Sequence, residues 1–192
     1  MKGAAGGAFC LELSDEAIVA EVVAGKRDLF RALVNRHERR ITGLGRSFFH
    51  NLDEAADFTQ DVFLKAFHAL PQFEGRARFS TWLYRIAYTS ALNQLNRRKE
   101  YKSLSEDEHE SAYKTPEEEH IKALARSAVR QAVSELPEKY RICVDLFFFY
   151  ERSYDEIEVI TGYPVNTVKS HVFRAKKLLR EKLKDFVEGG IT

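Results

Sequence analysis

Apolar residues recur along this chain at spacings of three and four. Strict alternation, the mark of a half-buried strand, is nearly absent, so the expected fold class is all-α. Ser14 is placed to cap a first helix, with Asp15 and Glu16 in the turn where the helix dipole favours acids. Ile18, Val22 and Val23 begin its inward stripe, and Gly25 ends or interrupts it. A second helix is expected from about Asp28 through "LFRALVNRHERRITGLGRSFF", with Phe30, Leu33, Val34 and Ile41 turned inward. A third begins near Asp53 in "DEAADFTQDVFLKAFHAL" and stops at Pro71. A fourth follows Ser80 in "STWLYRIAYTSALNQLNRRK", with Leu83, Ile86, Ala87 and Leu95 as its buried stripe.

The pattern then breaks. From Glu100 to Glu119 the chain reads "EYKSLSEDEHESAYKTPEEE". Aliphatic residues nearly vanish and acids dominate, the composition of a solvated, flexible linker. The expected organisation is therefore a tail over 1–13, a helical domain over 14–99, an acidic linker over 100–119 and a smaller helical domain over 120–192. The last opens with "IKALARSAVRQAVSEL" and continues with "PEKYRICVDLFFFY", where Pro137 suits a helix start.

Its final part is the most informative stretch: "YDEIEVITGYPVNTVKSHVFRAKK". Tyr154, Ile157 and Ile160 share one face of a helix of about two turns. Gly162 allows the left-handed residue that ends such a helix, and Pro164 sets φ for the next. Val168, Val172, Ala175 and Leu179 then form a continuous apolar stripe. The remaining face carries Asn166, Thr167, Lys169, Ser170, His171, Arg174 and Lys177. This is the pattern of a helix-turn-helix whose second helix is polar and cationic outside, as a major-groove reader requires. Lys169 and Arg174 suit guanine edges and Asn166 suits adenine, while more distal Lys and Arg suit phosphates. A basic surface helix with no ligand has a similar composition. The glycine turn, the proline start and the unbroken inner stripe favour DNA.

Formal net charge is only +1 over 192 residues, which by itself argues neither for nor against nucleic acid. The charge is segregated, with a basic helix at one end and an acidic tract before it. Two cysteines, Cys10 and Cys143, lie far apart without metal-ligand or redox spacing, and a reducing cytoplasm is expected. The glycine-rich start lacks the apolar core of a signal peptide. No apolar run approaches the about 20 residues of a membrane span, so no membrane insertion is expected. No phosphate-binding loop, zinc-protease motif or metal-ligand cluster is present, so neither catalytic residues nor a metal or other cofactor are expected.

"LPEKYR" followed by "SYDEIEVITGYPVNTVKSHVFRAKKLLREKL" resembles the −35-binding region of the bacterial sigma-70 family, in its short extracytoplasmic-function (ECF) type. "DEAADFTQDVFLKAFHAL" resembles that family's core-polymerase-binding segment, and "FEGRARFSTWLYRIAYTSALNQLNRRK" its −10 recognition segment. The three motifs stand in the family's order, and the resemblance covers roughly Ser14 to Leu183. The resemblance implies a non-catalytic protein that binds RNA polymerase core, directs it to promoters and helps open the duplex. Implied partners are the clamp helices of the largest polymerase subunit, double- and single-stranded promoter DNA, and an anti-sigma factor.

Residue by residue, the resemblance places core binding on Asp57, Gln60, Asp61 and Leu64, which share one helical face. Solvated acids would also explain Asp57 and Asp61. It places −10 binding on Phe73, Arg76, Arg78, Phe79, Arg85, Tyr88, Thr89, Asn93, Arg97 and Arg98. Phe73, Arg76, Arg78 and Phe79, around Gly75, would frame a flipped base. Trp82 and Asn96 share the face of Arg85, Thr89 and Asn93, although a lone Trp in a helical bundle is more often core. To the −35 set of Asn166, Thr167, Lys169, Ser170, His171, Arg174 and Lys177 it adds Phe173. Many family members carry Asn where this chain has Thr89 and Asp where it has Asn93, and the paired tryptophans of housekeeping sigma factors are missing. The acidic linker fits equally an RNA mimic in the polymerase channel and a plain soluble tether. The competing class is a conventional helix-turn-helix regulator with a helical dimerisation domain, which would bind palindromic DNA without polymerase.

Overall fold

The computed structural model describes residues 13–49, 51–102 and 120–189. All regular structure among them is helical. The chain divides into two compact units, Met1–Glu108 and His109–Thr192. The expected tail, except for its last residue, and the acidic linker from 103 to 119 lie outside the described residues.

The first unit holds α1 (Asp15–Val23), α2 (Phe30–Phe49), α3 (Leu52–Ala69) and α4 (Phe79–Lys102). Ser14 caps α1 by accepting from the Ala17 amide at 3.2 Å. Gly25, at φ +109°, turns the chain after it. A 3₁₀ turn over Arg27–Leu29 precedes α2, so that helix begins two residues later than its sequence pattern suggests. Asn51 caps α3 by accepting from the Asp53 and Glu54 amides. Pro71 follows within a second 3₁₀ turn, Leu70–Gln72, where its missing N–H costs nothing. α4 starts at Phe79 and remains helical to Lys102, past the expected linker start at Glu100.

The core of this unit is built from Ile18, Leu33, Ile41, Leu44, Phe58, Val62, Leu83 and Tyr84, all nearly or fully buried. α1 is tied to the rest by polar contacts. Asp15 accepts from Arg36 at 2.7 Å and meets His37 Nε2 at 2.7 Å. The His37 contact first, and then Arg36, hold the Asp15 carboxyl below its ordinary range against the opposing effect of burial. Glu16 Oε1 accepts from the Phe79 amide at 3.0 Å, which satisfies one of the free N–H groups opening α4.

The second unit holds α5 (His120–Ser134), α6 (Glu138–Val144), a π-helical turn (Asp145–Phe149), α7 (Tyr154–Thr161) and α8 (Val165–Gly189). Pro137 sits at the N-cap of α6. Leu136, Val144 and Ala175 form a buried cluster, with Tyr140, Leu178 and Leu179 packed against it. The ion pair between Glu135 and Lys182 joins the end of α5 to α8.

Candidate nucleic-acid and partner interfaces

The α7–α8 pair is a helix-turn-helix formed by local chemistry. Ser153 and Glu156 make a reciprocal capping box, the Glu156 amide donating to the Ser153 hydroxyl at 3.1 Å and the Ser153 amide to the Glu156 carboxylate at 3.0 Å. Arg152 pairs with Glu156 at 3.1 Å and reinforces it. Gly162 ends α7 in the left-handed conformation at φ +78°, its amide donating to the Glu158 carbonyl at 2.8 Å. Pro164 supplies the carbonyl that receives the Thr167 and Val168 amides, and α8 begins.

Burial then sorts the faces. Ile157 and Ile160 of α7 and Val168, Val172 and Ala175 of α8 are buried. Asn166, Lys169, Arg174 and Lys177 are exposed, and Thr167 and Ser170 are half-buried. Phe173 is 72% exposed, unusual for a phenylalanine in a small helical unit, and shares the outer face with Lys169.

His171 is a correction. It was expected among the DNA-facing residues, but it is 9% exposed and packs edge-on against Tyr140 and Tyr163. Cys143 lies 3.7 Å from its Nδ1. Burial, and then the positive charges of Lys139 and Arg174, lower its pKa. His171 therefore supports the reading helix from inside and does not meet bases. Burial also pushes the Cys143 thiol up to about 12, so it behaves as a core hydrophobe. The Arg174 guanidinium lies against the Tyr140 hydroxyl and, as the largest cause, holds that phenol below its ordinary range.

An aromatic group that the sequence reading passed over adjoins α8. Phe147 stacks on Tyr154 at 4.8 Å, Lys169 lies over Tyr154, and Lys176 lies 5.0 Å from the Phe148 ring centre. Phe148 and Phe149 are exposed. The signal was present as three successive phenylalanines, which periodicity alone assigns to a buried helix end.

In the first unit, Asp57, Gln60, Asp61 and Leu64 all lie exposed on α3, with Leu64 at 56%. Gln60 and Leu64 border an apolar groove of about 380 Å³ between α2 and α3, walled by Phe30, Val34, Phe63 and Phe67. Phe30 and Val34, expected in the core, are thus only half-buried and line this groove.

The −10 candidates divide. Arg76, Arg78, Arg85, Thr89, Asn93, Arg97 and Arg98 are exposed. Arg76 pairs with Glu74 at 2.6 Å, and Arg98 pairs with Glu54 at 2.8 Å beneath the Phe49 ring. Phe79 and Tyr88 are corrections. Phe79 is fully buried against His37, Phe73 and Trp82, and Tyr88 is buried beside Phe48. Neither ring is open to a base. Phe73 and Trp82 are half-buried, 5.2 Å apart, so Phe73 props Trp82 at the surface of α4.

These features define a two-unit helical protein with a DNA-reading helix-turn-helix in its second unit and an acidic–apolar face on its first. Known proteins agree. A family model for sigma-70 region 2 matches residues 33–101, and one for sigma-70 region 4 matches residues 126–179. The RNA polymerase sigma-H factor of Pseudomonas aeruginosa is 34% identical over 180 residues, covering 88% of this chain and 93% of that protein. The ECF RNA polymerase sigma-E factor of Escherichia coli is 31% identical over 187 residues, covering 92% and 97%. Among solved structures, RpoE in complex with the anti-sigma factor NepR from Bartonella quintana matches with TM-score 0.70 and 25% identity, over 81% of this chain and 96% of that one. CnrH in complex with the cytosolic domain of CnrY shares the fold, with TM-score 0.68 and 24% identity, over 88% of this chain and 97% of that one. The chain belongs to the sigma-70 family, in its extracytoplasmic-function branch. No described helix is long and apolar enough to cross a membrane.

Proposed function

We propose that each unit of this ECF sigma factor grips a separate promoter element while the first holds the polymerase. The protein binds RNA polymerase core, directs it to promoters and has no catalytic activity of its own. The observation that carries the division of labour is the pair of family matches, region 2 and region 4, falling in order on the two units.

Asp57, Gln60, Asp61 and Leu64 meet the clamp helices of the largest polymerase subunit. Their exposed mixture of acid, amide and apolar surface suits a basic coiled coil. On the −10 side, Arg76, Arg78, Arg85, Arg97 and Arg98 follow the backbone, and Phe73, Thr89 and Asn93 contact bases. Asn166, Thr167, Lys169, Ser170, Phe173, Arg174 and Lys177 read the −35 major groove, with cations and amides matched to base edges. An anti-sigma factor is the regulatory partner. The working compartment is the cytoplasm, where core polymerase and promoter DNA meet. Near-neutral net charge fits two partners of opposite sign.

Run-off transcription with purified core polymerase tests this reading. Promoter-specific transcripts should appear only when the chain is added. A stable homodimer that binds palindromic DNA without polymerase, and yields no such transcript, would replace it with a conventional regulator.

A further inference from the structure

Tyr140 lies in the first turn of α6, its amide donating to the Pro137 carbonyl at 2.8 Å. Its half-buried ring is held on several sides. It packs against the buried cluster of Leu136, Val144 and Ala175. It meets the His171 ring edge-on at 5.2 Å, and the Lys139 ammonium stands 5.3 Å from its centre. His171 is itself wedged between Tyr140, Tyr163 and Cys143, so it cannot give way. The ring therefore has one place, and its hydroxyl has one place with it.

His171 and Ala175 are buried residues of α8 that bracket Arg174. A ring packed against both brings its hydroxyl to the edge of the reading face, where the exposed Arg174 guanidinium lies against it. The lowered phenol pKa, whose largest cause is Arg174, marks the same contact. A free arginine samples many rotamers, and a base contact must freeze them at an entropic cost. A fixed acceptor beside the guanidinium lowers that cost by holding the fork in advance. The donors suffice for both tasks. Guanine presents two acceptors, O6 and N7, and a five-donor guanidinium keeps further N–H groups for a third. The seat is a neutral hydroxyl, so it orients the guanidinium without cancelling the charge that DNA attracts. A carboxylate in that place would repel the phosphates.

We propose that Tyr140 is a specificity-determining positioning residue, whose hydroxyl accepts from Arg174 and aims the guanidinium at one base pair of the −35 element. It acts through Arg174 and not on the DNA itself. This role rests on the reading of Arg174 as a base contact. It gives α6, which carries none of the residues assigned to DNA, a share in sequence choice.

The test uses holoenzyme assembled from core polymerase and the full chain. The probes are fluorescein-labelled duplexes carrying a promoter mapped by run-off, one with the native −35 element and a set with single base-pair changes in it. Anisotropy gives the affinity for each, with core alone subtracted. Arg174→Ala identifies the base pair at which discrimination is lost. Tyr140→Phe keeps the ring and removes only the hydroxyl. It should lower discrimination at that same base pair about three- to tenfold, the loss expected of one hydrogen bond, and leave the other positions within about twofold. In the Arg174→Ala background, Tyr140→Phe should add nothing at that position. Full discrimination retained by Tyr140→Phe overturns the proposal. So does an equal loss on every duplex, or a loss that persists beside Arg174→Ala, either of which would make Tyr140 a packing residue. If Arg174→Ala itself loses discrimination at no base pair, the base-reading role of Arg174 fails and the proposal with it. That result is distinguishable from the others because it appears without any change at Tyr140.

Discussion

Replacing Gly45 by alanine probes the helix pair on which the polymerase-facing surface is built. Gly45 lies buried in α2 where α3 approaches closely. A Cβ built there would stand 2.8 Å from Phe58 Cδ1 and 3.3 Å from both the Cα and the carbonyl oxygen of Ala55. Two effects oppose each other. Alanine favours the helix by about 1 kcal/mol over glycine. Overpacking a tight core costs about 1–3 kcal/mol. Relief of the clash decides the sign. Phe58 is 1% exposed and its ring lies 5.3 Å from that of Phe49, so it has nowhere to turn. The Ala55 contacts are backbone and yield only if α3 moves away from α2. The clash therefore wins, with a net loss of up to about 2 kcal/mol. Trp82 is the single tryptophan of the chain and belongs to the first unit, so its emission during urea unfolding reports that unit alone. At a urea slope of about 2 kcal/mol/M the midpoint should fall by up to roughly 1 M. A midpoint equal to or above that of the wild type would refute the close-approach argument, since helix propensity would then have prevailed.

Arg174→Ala should weaken −35 duplex binding by about 1–3 kcal/mol and relax specificity at one position, as measured by titration against a panel of single-base variants. Equal loss on every sequence would reassign it to phosphate. Asp61→Ala should reduce affinity for core polymerase in a competition assay while leaving the salt dependence of duplex −35 binding unchanged. The second unit should lose stability in mild acid through His171. Its pKa is lowered in the folded state, chiefly by burial, so its contribution is complete above the ordinary 6.5 and is lost as pH falls through the folded value. Amide exchange in α6 and α8, corrected for intrinsic rates, should quicken between pH 7 and about pH 5.5. His171→Leu should remove that change; persistence of the acid effect in this variant would exclude His171 as its source.

What the chain determined locally is clear in α7 and α8. Gly162 and Pro164 act on their own neighbours, through a left-handed turn and a preset φ, so their positions announce the helix-turn-helix, and the structure adds the Ser153 capping box at its start. The charge of α8 and the stripe of Val168, Val172 and Ala175 needed no distant partner to be read. Which side chains lie deep was another matter. Helical periodicity tells direction, not depth. His171 falls beside Val168, Val172 and Ala175, and Tyr88 follows Tyr84 and precedes Ala91 on one buried face, so each was signalled by position and concealed by polarity.

Phe79 carried no such local signal. It stood in an expected loop, and it becomes the first residue of α4 because Glu16, 63 residues earlier, receives its amide. The hydrogen bond from Lys65 to Ser90 likewise exists only where α3 crosses α4, because it spans 25 residues. Caps, turns and stripes act over one helical turn, within reach of sequence. Burial depth, the grooves between helices and the pairing of distant polar groups depend on which surfaces meet, and only tertiary packing decides that.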